Sequence, residues 1–209
     1  MFSNRFRFCN GSLCKLTVDG TDFRAYNIGG KEYYSHKFNG PALRYEVAVA
    51  IQSGDICHIA GPFRAGEMPD IKIFRRCLKA KLDRANRFCK EKVEADDGYR
   101  GEPYYISLPN ELGGGGERQR KAKTVARQRQ ETINRKFKEW KILQSRYRHD
   151  VKFHKTVFRA IATITQIDLR SAQFSFQVEY KTMETRGELK SRKEMLKFIN
   201  KQRTNRKKK

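Results

Sequence analysis

Val93-Glu94-Ala95-Asp96-Asp97-Gly98-Tyr99 reads as a short strand running into a turn: Val93 and Ala95 alternate with Glu94, and Gly98 breaks the run. Two carboxylates therefore sit where a strand meets a loop, a common place for a sheet to present catalytic or metal-binding groups. Asp-Asp-Gly is also ordinary turn chemistry. The stretch gains weight from its surroundings, an Asp at a second strand end, Asp19, and a Glu, Glu131, in the middle of a very basic helix.

Working back from this stretch, Ile71, Phe74, Leu78, Leu82, Ala85 and Phe88 recur at helical spacing among Lys and Arg, which predicts an amphipathic helix covering one face of a sheet. Asp70 is placed to cap it, after Pro69. The order strand, helix, strand predicts a crossover to a parallel neighbour. Earlier still, Leu43, Tyr45, Val47, Val49 and Ile51 fall at period two, the clearest strand in the chain. Ser53-Gly54-Asp55 turns it and Ile56 to Ala60 returns, while Leu13 to Val18 forms a leading strand that delivers Asp19 at its end. Lys31 to Phe38 is a further candidate strand, so residues 13–60 read as an antiparallel meander of about three strands.

Working forward, Tyr104 to Leu108 is a short strand, and residues 110–116, with four consecutive glycines, form a flexible joint. Glu117 to His149 reads as one long helix with 12 Lys and Arg against 3 Glu and an apolar stripe of Val125, Ile133, Phe137, Trp140, Leu143 or Ile142, and Tyr147. A second helix, about Phe153 to Ala172, places Val157, Phe158, Ile161, Ile164 and Ile167 in the core. Phe174, Phe176, Val178 and Tyr180 alternate in a closing extended segment. The domain organisation is a lead-in over 1–12, one α/β domain over 13–180 and a basic tail over 181–209, with 12 Lys and Arg against 3 Glu. Arg203 to Lys209 resembles a nuclear-localisation signal, which sets a nuclear expectation.

The 209-residue chain carries a net charge of +23, more than an ordinary surface needs, so a polyanionic partner is expected and nucleic acid leads. No apolar run is long enough to span a bilayer, and the first residues lack the apolar core of a signal peptide. The five cysteines (Cys9, Cys14, Cys57, Cys77 and Cys89) are odd in number and form no Cys-x-x-Cys pair, so they read as reduced thiols of an intracellular protein.

Arg127, Glu131 and Lys138 are spaced by four and seven, which puts them on one side of a helix, offset from the apolar stripe. Such a row is also a common surface ion-pair pattern of little energetic weight. Taken with Asp19 and Asp96, however, Glu131 completes a set of three hard oxygen donors in a basic protein, which suits Mg²⁺ or Mn²⁺. Two such ions, about 3.5–4 Å apart, serve phosphodiester cleavage.

The ordered set Val18-Asp19-Gly20-Thr21, Ala95-Asp96-Asp97-Gly98-Tyr99 and Arg127-x3-Glu131-x6-Lys138 resembles the catalytic domain of DDE-superfamily transposases and endonucleases, of the PIF/Harbinger type and related insertion-sequence enzymes. The last element matches the Arg, Glu and Lys of the family's Y-(2)-R-(3)-E-(6)-K signature, with Thr124 at the Tyr position. Gly66-Glu67-Met68-Pro69-Asp70 resembles a segment where relatives carry His-Asp; the His is absent and Asp70 is given no catalytic role. Asp22 stands where many relatives have His.

The resemblance, over about Thr17 to Tyr180, implies an RNase H-like fold, a mixed sheet of about five strands flanked by helices. It implies Asp19, Asp96 and Glu131 as the catalytic, metal-binding triad, with DNA-phosphate contacts from Arg127, Lys138, Arg135 and Lys141. The implied reaction is Mg²⁺- or Mn²⁺-dependent DNA strand cleavage followed by attack of the freed 3′ hydroxyl on target DNA (strand transfer). Relatives have a DNA-reading helical region before the first Asp. With 18 residues there, the expectation is a truncated copy or a separate DNA-binding accessory protein, and a homo-oligomer is left open. Two alternatives stand beside this reading: a transposase-derived DNA-binding protein that no longer cuts, and a basic RNA-binding protein of ribosomal type, in which the acids would be scattered.

Overall fold

A computed structural model describes residues 1–6, 13–85, 91–108 and 117–171. The closing segment 174–180, the basic tail 181–209 and the glycine joint 110–116 lie outside the described residues.

The backbone of the fold is β1 (Cys14–Arg24), which pairs antiparallel with β3 (Gly40–Ala50) from Leu16↔Ala50 to Arg24↔Ala42. On its other edge β1 runs parallel to β5 (Lys92–Glu94), which runs parallel to β6 (Ile106–Ser107). β4 (Ile56–Arg64) pairs antiparallel with β3, and the two-residue β2 (Tyr34–Ser35) pairs with the first residues of β3. The mixed sheet thus has six strands, in the order β4-β3-β1-β5-β6 with β2 appended, flanked by helices: the RNase H-like α/β class. The strand beyond the expected five is β2. Lys31 to Phe38 yields only β2, because Lys31–Tyr33 winds into a 3-10 turn and a second turn follows it.

β1 does not stop at Val18. It continues to Arg24, so Asp19 lies in mid-strand rather than at a strand end. Gly20 stays extended, paired with Glu46, and does not punctuate the chain.

The helices close both faces. The predicted helix after Pro69 is two, α1 (Asp70–Arg76) and α2 (Leu78–Ala85), broken at Cys77. Pro69 occupies the capping position, so Asp70 is the first helical residue and not the cap. Phe74, Leu78 and Leu82 pack on Leu16, Val18, Ala48, Ala50 and Val93 to form one core. The second core, on the opposite face, joins Phe23, Tyr45, Val47 and Val49 to Ile133 and Phe137 of α3 (Glu117–Glu139) and to Phe158, Ile161 and Leu169 of α5 (His154–Ser171).

The long helix expected to run to His149 ends at Glu139. Trp140 is extended (φ −78°, ψ 116°) and 41% exposed, so it leaves the apolar stripe, and a short α4 (Lys141–Gln144) follows. The break lets Leu143 enter the core and lets Tyr147 exchange backbone hydrogen bonds with Arg24 and Tyr26 at the end of β1. On α5, Ile164 and Ile167 are exposed rather than buried. The buried stripe is His154, Phe158, Ile161, Ala162, Thr165 and Leu169, displaced around the helix from the predicted one. Among the described residues Cys14, Cys57 and Cys77 form no disulfide, and no helix is long and apolar enough to cross a membrane.

Candidate active site

The register of the parallel pair β1–β5 builds the site. Thr17 pairs with Glu94; β1 continues through Asp19, while β5 ends at Glu94 and the chain reaches Asp96 two residues later, Ala95 N–H still donating to the Ser107 carbonyl and Asp96 itself extended. Residues two apart share a face and neighbouring strands lie about 4.8 Å apart, so the two carboxylates, 77 residues apart in sequence, come side by side. Asp96 is fixed by its own turn: its Oδ1 accepts from the Gly98 amide at 3.0 Å, capping the 3-10 turn Asp97–Tyr99.

A third carboxylate joins them. Asp70 opens α1, and its Oδ1 occupies the space where a Cβ at Gly20 would stand. Its Oδ2 lies 3.3 Å from where a Cβ at Gly98 would be. Glycine at both positions is what lets α1 bring this acid down onto the strand ends. Arg44 from β3 faces it, with Nη1 3.5 Å from Asp70 Oδ1. The same guanidinium grips Asp22 bidentately, Nε to Oδ1 at 2.7 Å and Nη2 to Oδ2 at 2.9 Å, and Ser35 Oγ donates to Asp22 Oδ2 at 2.6 Å. Asp22 is therefore consumed by structure.

The electrostatics follow from this crowding. Burial, then the neighbouring Asp96 and Asp70 charges, push the Asp19 carboxyl up to about 6, against the Gly20 amide and Lys37. Asp70 is also raised, first by burial, with Arg44 opposing. Beneath them Tyr99 is fully buried with no hydrogen-bond partner for its hydroxyl, and burial followed by the Glu46, Asp70, Asp19 and Asp96 charges disfavours its ionisation.

α3 covers the site from the other side. Gln130, Asn134 and Lys138 recur one turn apart and face β1. Thr17 Oγ donates to Gln130 Oε1 at 2.7 Å, and Gln130 Nε2 donates to the Val47 carbonyl at 3.2 Å. Asn134 Nδ2 donates to Asp19 Oδ2 at 2.7 Å. Lys138 is half-buried; burial and then Lys37 lower its pKa, while Asp19 and Asp22 raise it.

Glu131 stands one turn before Asn134 on α3 and is exposed, as are Arg127, Arg135 and Lys141. The structure thus sets Asp19 beside Asp96 and adds Asp70 to them, whereas the α3 side chain that touches Asp19 is Asn134. Among the described residues no three His, Cys, Asp or Glu side chains form a group that would hold a metal ion. Asn134 was missed in the sequence, whereas Asp70 was read there as a helix cap and given no catalytic role. The available signal for Asn134 was its place between Glu131 and Lys138, three residues after one and four before the other.

Asp19 in mid-strand and Asp96 just past the end of β5 thus form a carboxylate pair beside the basic helix α3, on a β4-β3-β1-β5-β6 sheet. The family model described as "DDE superfamily endonuclease" matches residues 18–166, which takes in every carboxylate discussed above. The chain belongs to that family. Neither a curated protein nor a solved structure matches it.

Proposed function

We propose that this chain is a transposase-type DNA endonuclease that hydrolyses a DNA strand with divalent-metal assistance, after which the freed 3′ hydroxyl attacks a phosphorus of a target strand and displaces that strand's own 3′ oxygen. The observation that carries the reading is the side-by-side placement of Asp19 and Asp96 by the β1–β5 register. The donor chemistry fits a hard cation: Asp19 is crowded by two further carboxylates, and Asp70 Oδ1 and Asn134 Oδ1 are buried without a hydrogen-bond partner among the described residues. Asp19 and Asp96 would hold the Mg²⁺ or Mn²⁺; Glu131, exposed one turn before Asn134 on α3, would complete the set only by turning toward them.

A bound divalent ion supplies a water of lowered pKa and charge neutralisation at phosphorus. Asp19 and Asp96 bind and orient, each held by a hydrogen bond from Asn134 or Gly98. Hydrolysis forms a bond from the water oxygen to phosphorus and breaks the bond from phosphorus to the 3′ oxygen, leaving a 5′ phosphate and a 3′ hydroxyl. Arg127, Arg135 and Lys138 on α3 and Lys141 on α4 supply cations for the DNA backbone, consistent with a chain of net charge +23.

Nicking of supercoiled DNA in Mg²⁺ tests the reading, comparing the wild type with Asp19→Asn, Asp96→Asn and Glu131→Gln. Nicking lost in all three is the expected result. Nicking that survives all three sinks the proposal. The exposure of Glu131 and the absence of a three-residue metal group among the described residues favour one second reading, a family member that holds DNA without cutting it. On that reading every protein, wild type included, shifts DNA and none nicks it.

A further inference from the structure

We infer that Asn134 is a functional member of the carboxylate site: Nδ2 positions Asp19, and the carbonyl Oδ1 is the neutral oxygen offered to a bound divalent cation or its water. The inference rests on the metal-dependent reading above. It starts from a contrast between two amides one turn apart on the same face of α3. Gln130 is a structural dock, nearly inaccessible to solvent, with its Oε1 taken by Thr17 and its Nε2 given to Val47. A side chain whose task is to fasten a helix to a sheet ends in this state, with donor and acceptor both used.

Asn134 is only half used. Its Nδ2 is committed to Asp19 Oδ2 at 2.7 Å, which ties α3 to the mid-strand carboxylate across 115 residues of sequence. Its Oδ1 is buried with no hydrogen-bond partner among the described residues. The Asp19 bond fixes which end of the amide is the donor, so the idle end must be the acceptor. A buried carbonyl without a donor is costly in a fold that satisfies its neighbour Gln130, and it marks a place reserved for something else.

The chemistry narrows what that is. Around the amide stand Asp19 and, beyond it, Asp96 and Asp70, all acceptors when ionised. None can donate to Oδ1 in that state. A hard cation or its water satisfies the carbonyl and the carboxylates together, and Asn side-chain carbonyls are regular ligands of such ions. Lys138, one turn further along α3, feels the Asp19 and Asp22 charges, with Lys37 opposing them. Asn134 thus has two linked roles: it holds one Asp19 oxygen, leaving the other for the ion, and it contributes a neutral oxygen without adding to the negative charge.

Mn²⁺ alone, followed by electron paramagnetic resonance of the free ion and by the Mn²⁺-induced melting shift, tests this in the full chain without DNA. Asn134→Leu removes both amide ends at similar volume. Mn²⁺ affinity is expected to fall about 10–100-fold, as for other residues that orient metal ligands. Asn134→Asp restores an oxygen ligand but not the donor, and is expected to bind Mn²⁺ more tightly than Asn134→Leu while melting lower in chelator. A purely structural amide would give the opposite order, with the aspartate variant, which sets like charges together, the poorer in both readouts. Wild-type Mn²⁺ affinity in a folded Asn134→Leu overturns the inference; if that variant does not fold, aspartate binding no better than Asn134→Ser does so. Asp19→Asn serves as the control. Wild-type Mn²⁺ binding in that variant means that the metal reading itself has failed, whereas its loss alongside unchanged Asn134→Leu removes only the role given to Asn134.

Discussion

Asp19→Asn should make the metal-free protein more stable while disabling it. The carboxyl is pushed up to about 6 from 3.8, first by burial and then by Asp96 and Asp70. Two pKa units at about 1.4 kcal/mol each put the cost of ionised Asp19 near 3 kcal/mol. The folded value lies above the unfolded one, so the folded protein keeps a proton that the unfolded chain releases between pH 3.8 and 6. Stability therefore falls as pH rises through that window, and at pH 7.5 the whole cost is present. Asparagine is nearly isosteric, carries no charge and still offers an oxygen to Asn134 Nδ2. Relaxation of the neighbours trims the expected gain to about 1–3 kcal/mol, which for a chain of this size is about 3–10 °C in melting temperature. The assay is thermal unfolding at pH 7.5 in chelator and then in Mg²⁺. Without metal the variant should melt higher than the wild type. In Mg²⁺ only the wild type should gain, by about 2.7 kcal/mol at a hundred times its dissociation constant, and the order should close or reverse. An Asp19→Asn protein that melts below wild type in chelator and still rises with Mg²⁺ would refute the crowded-carboxylate argument.

Gly20→Ala should cost about 1–3 kcal/mol, because its methyl would overlap Asp70 Oδ1, and Asp70→Ala in the same chain should recover at least about 1 kcal/mol of that in a denaturation double-mutant cycle. Acid stability should depend on His58, whose ring lies between Lys81 Nζ at 2.9 Å and Glu46 Oε1 at 3.2 Å and whose pKa burial lowers to about 3. It stays neutral when folded but protonates near 6.5 when unfolded, so about 3 kcal/mol should be lost between pH 6.5 and 4, and His58→Gln should flatten that limb in urea titrations. Lys138→Ala should weaken DNA binding at all sequences alike and reduce the slope of log K against log salt by about one, measured by fluorescence anisotropy.

The parts of the fold that could be read from the sequence are those where one physical signal dominates. The period-two run from Leu43 to Ile51 fixes β3, and the Ile71-Phe74-Leu78 spacing fixes the helical crossover that makes β5 parallel to β1. What escaped were the places where tertiary contact overrides a local signal. Gly20 looks like a stop, yet it is the strand residue that admits Asp70, so its missing Cβ serves packing across the sheet and not a turn. Trp140 looks like one more apolar stripe residue, yet the helix ends there so that Leu143 and Tyr147 can turn back onto β1. On α5 the polar His154 and Thr165 are buried in place of Ile164 and Ile167. His154 manages this because its Nδ1 meets the Tyr45 hydroxyl at 2.8 Å, a pairing invisible to hydropathy.

For the site the division is sharper. Side-chain type pointed to Asp19 and Asp96, since acids beside apolar strand runs in a basic protein are conspicuous, but their adjacency is a matter of register: the parallel pair Thr17↔Glu94 carries it, and no linear pattern encodes register between segments 77 residues apart. Asn134 shows the opposite limit. As a residue type it is unremarked between Glu131 and Lys138, and only the geometry reveals that one end of its amide is spent on Asp19 while the other is buried and idle. A charged residue advertises chemistry through the cost of burying it; a neutral amide does so only through an unsatisfied atom, which exists once the chain has folded around it. The search for function in such a helix therefore has to count hydrogen bonds as well as charges, and by that count α3 presents Asn134 to the carboxylates while its Glu131 stands one turn away in solvent.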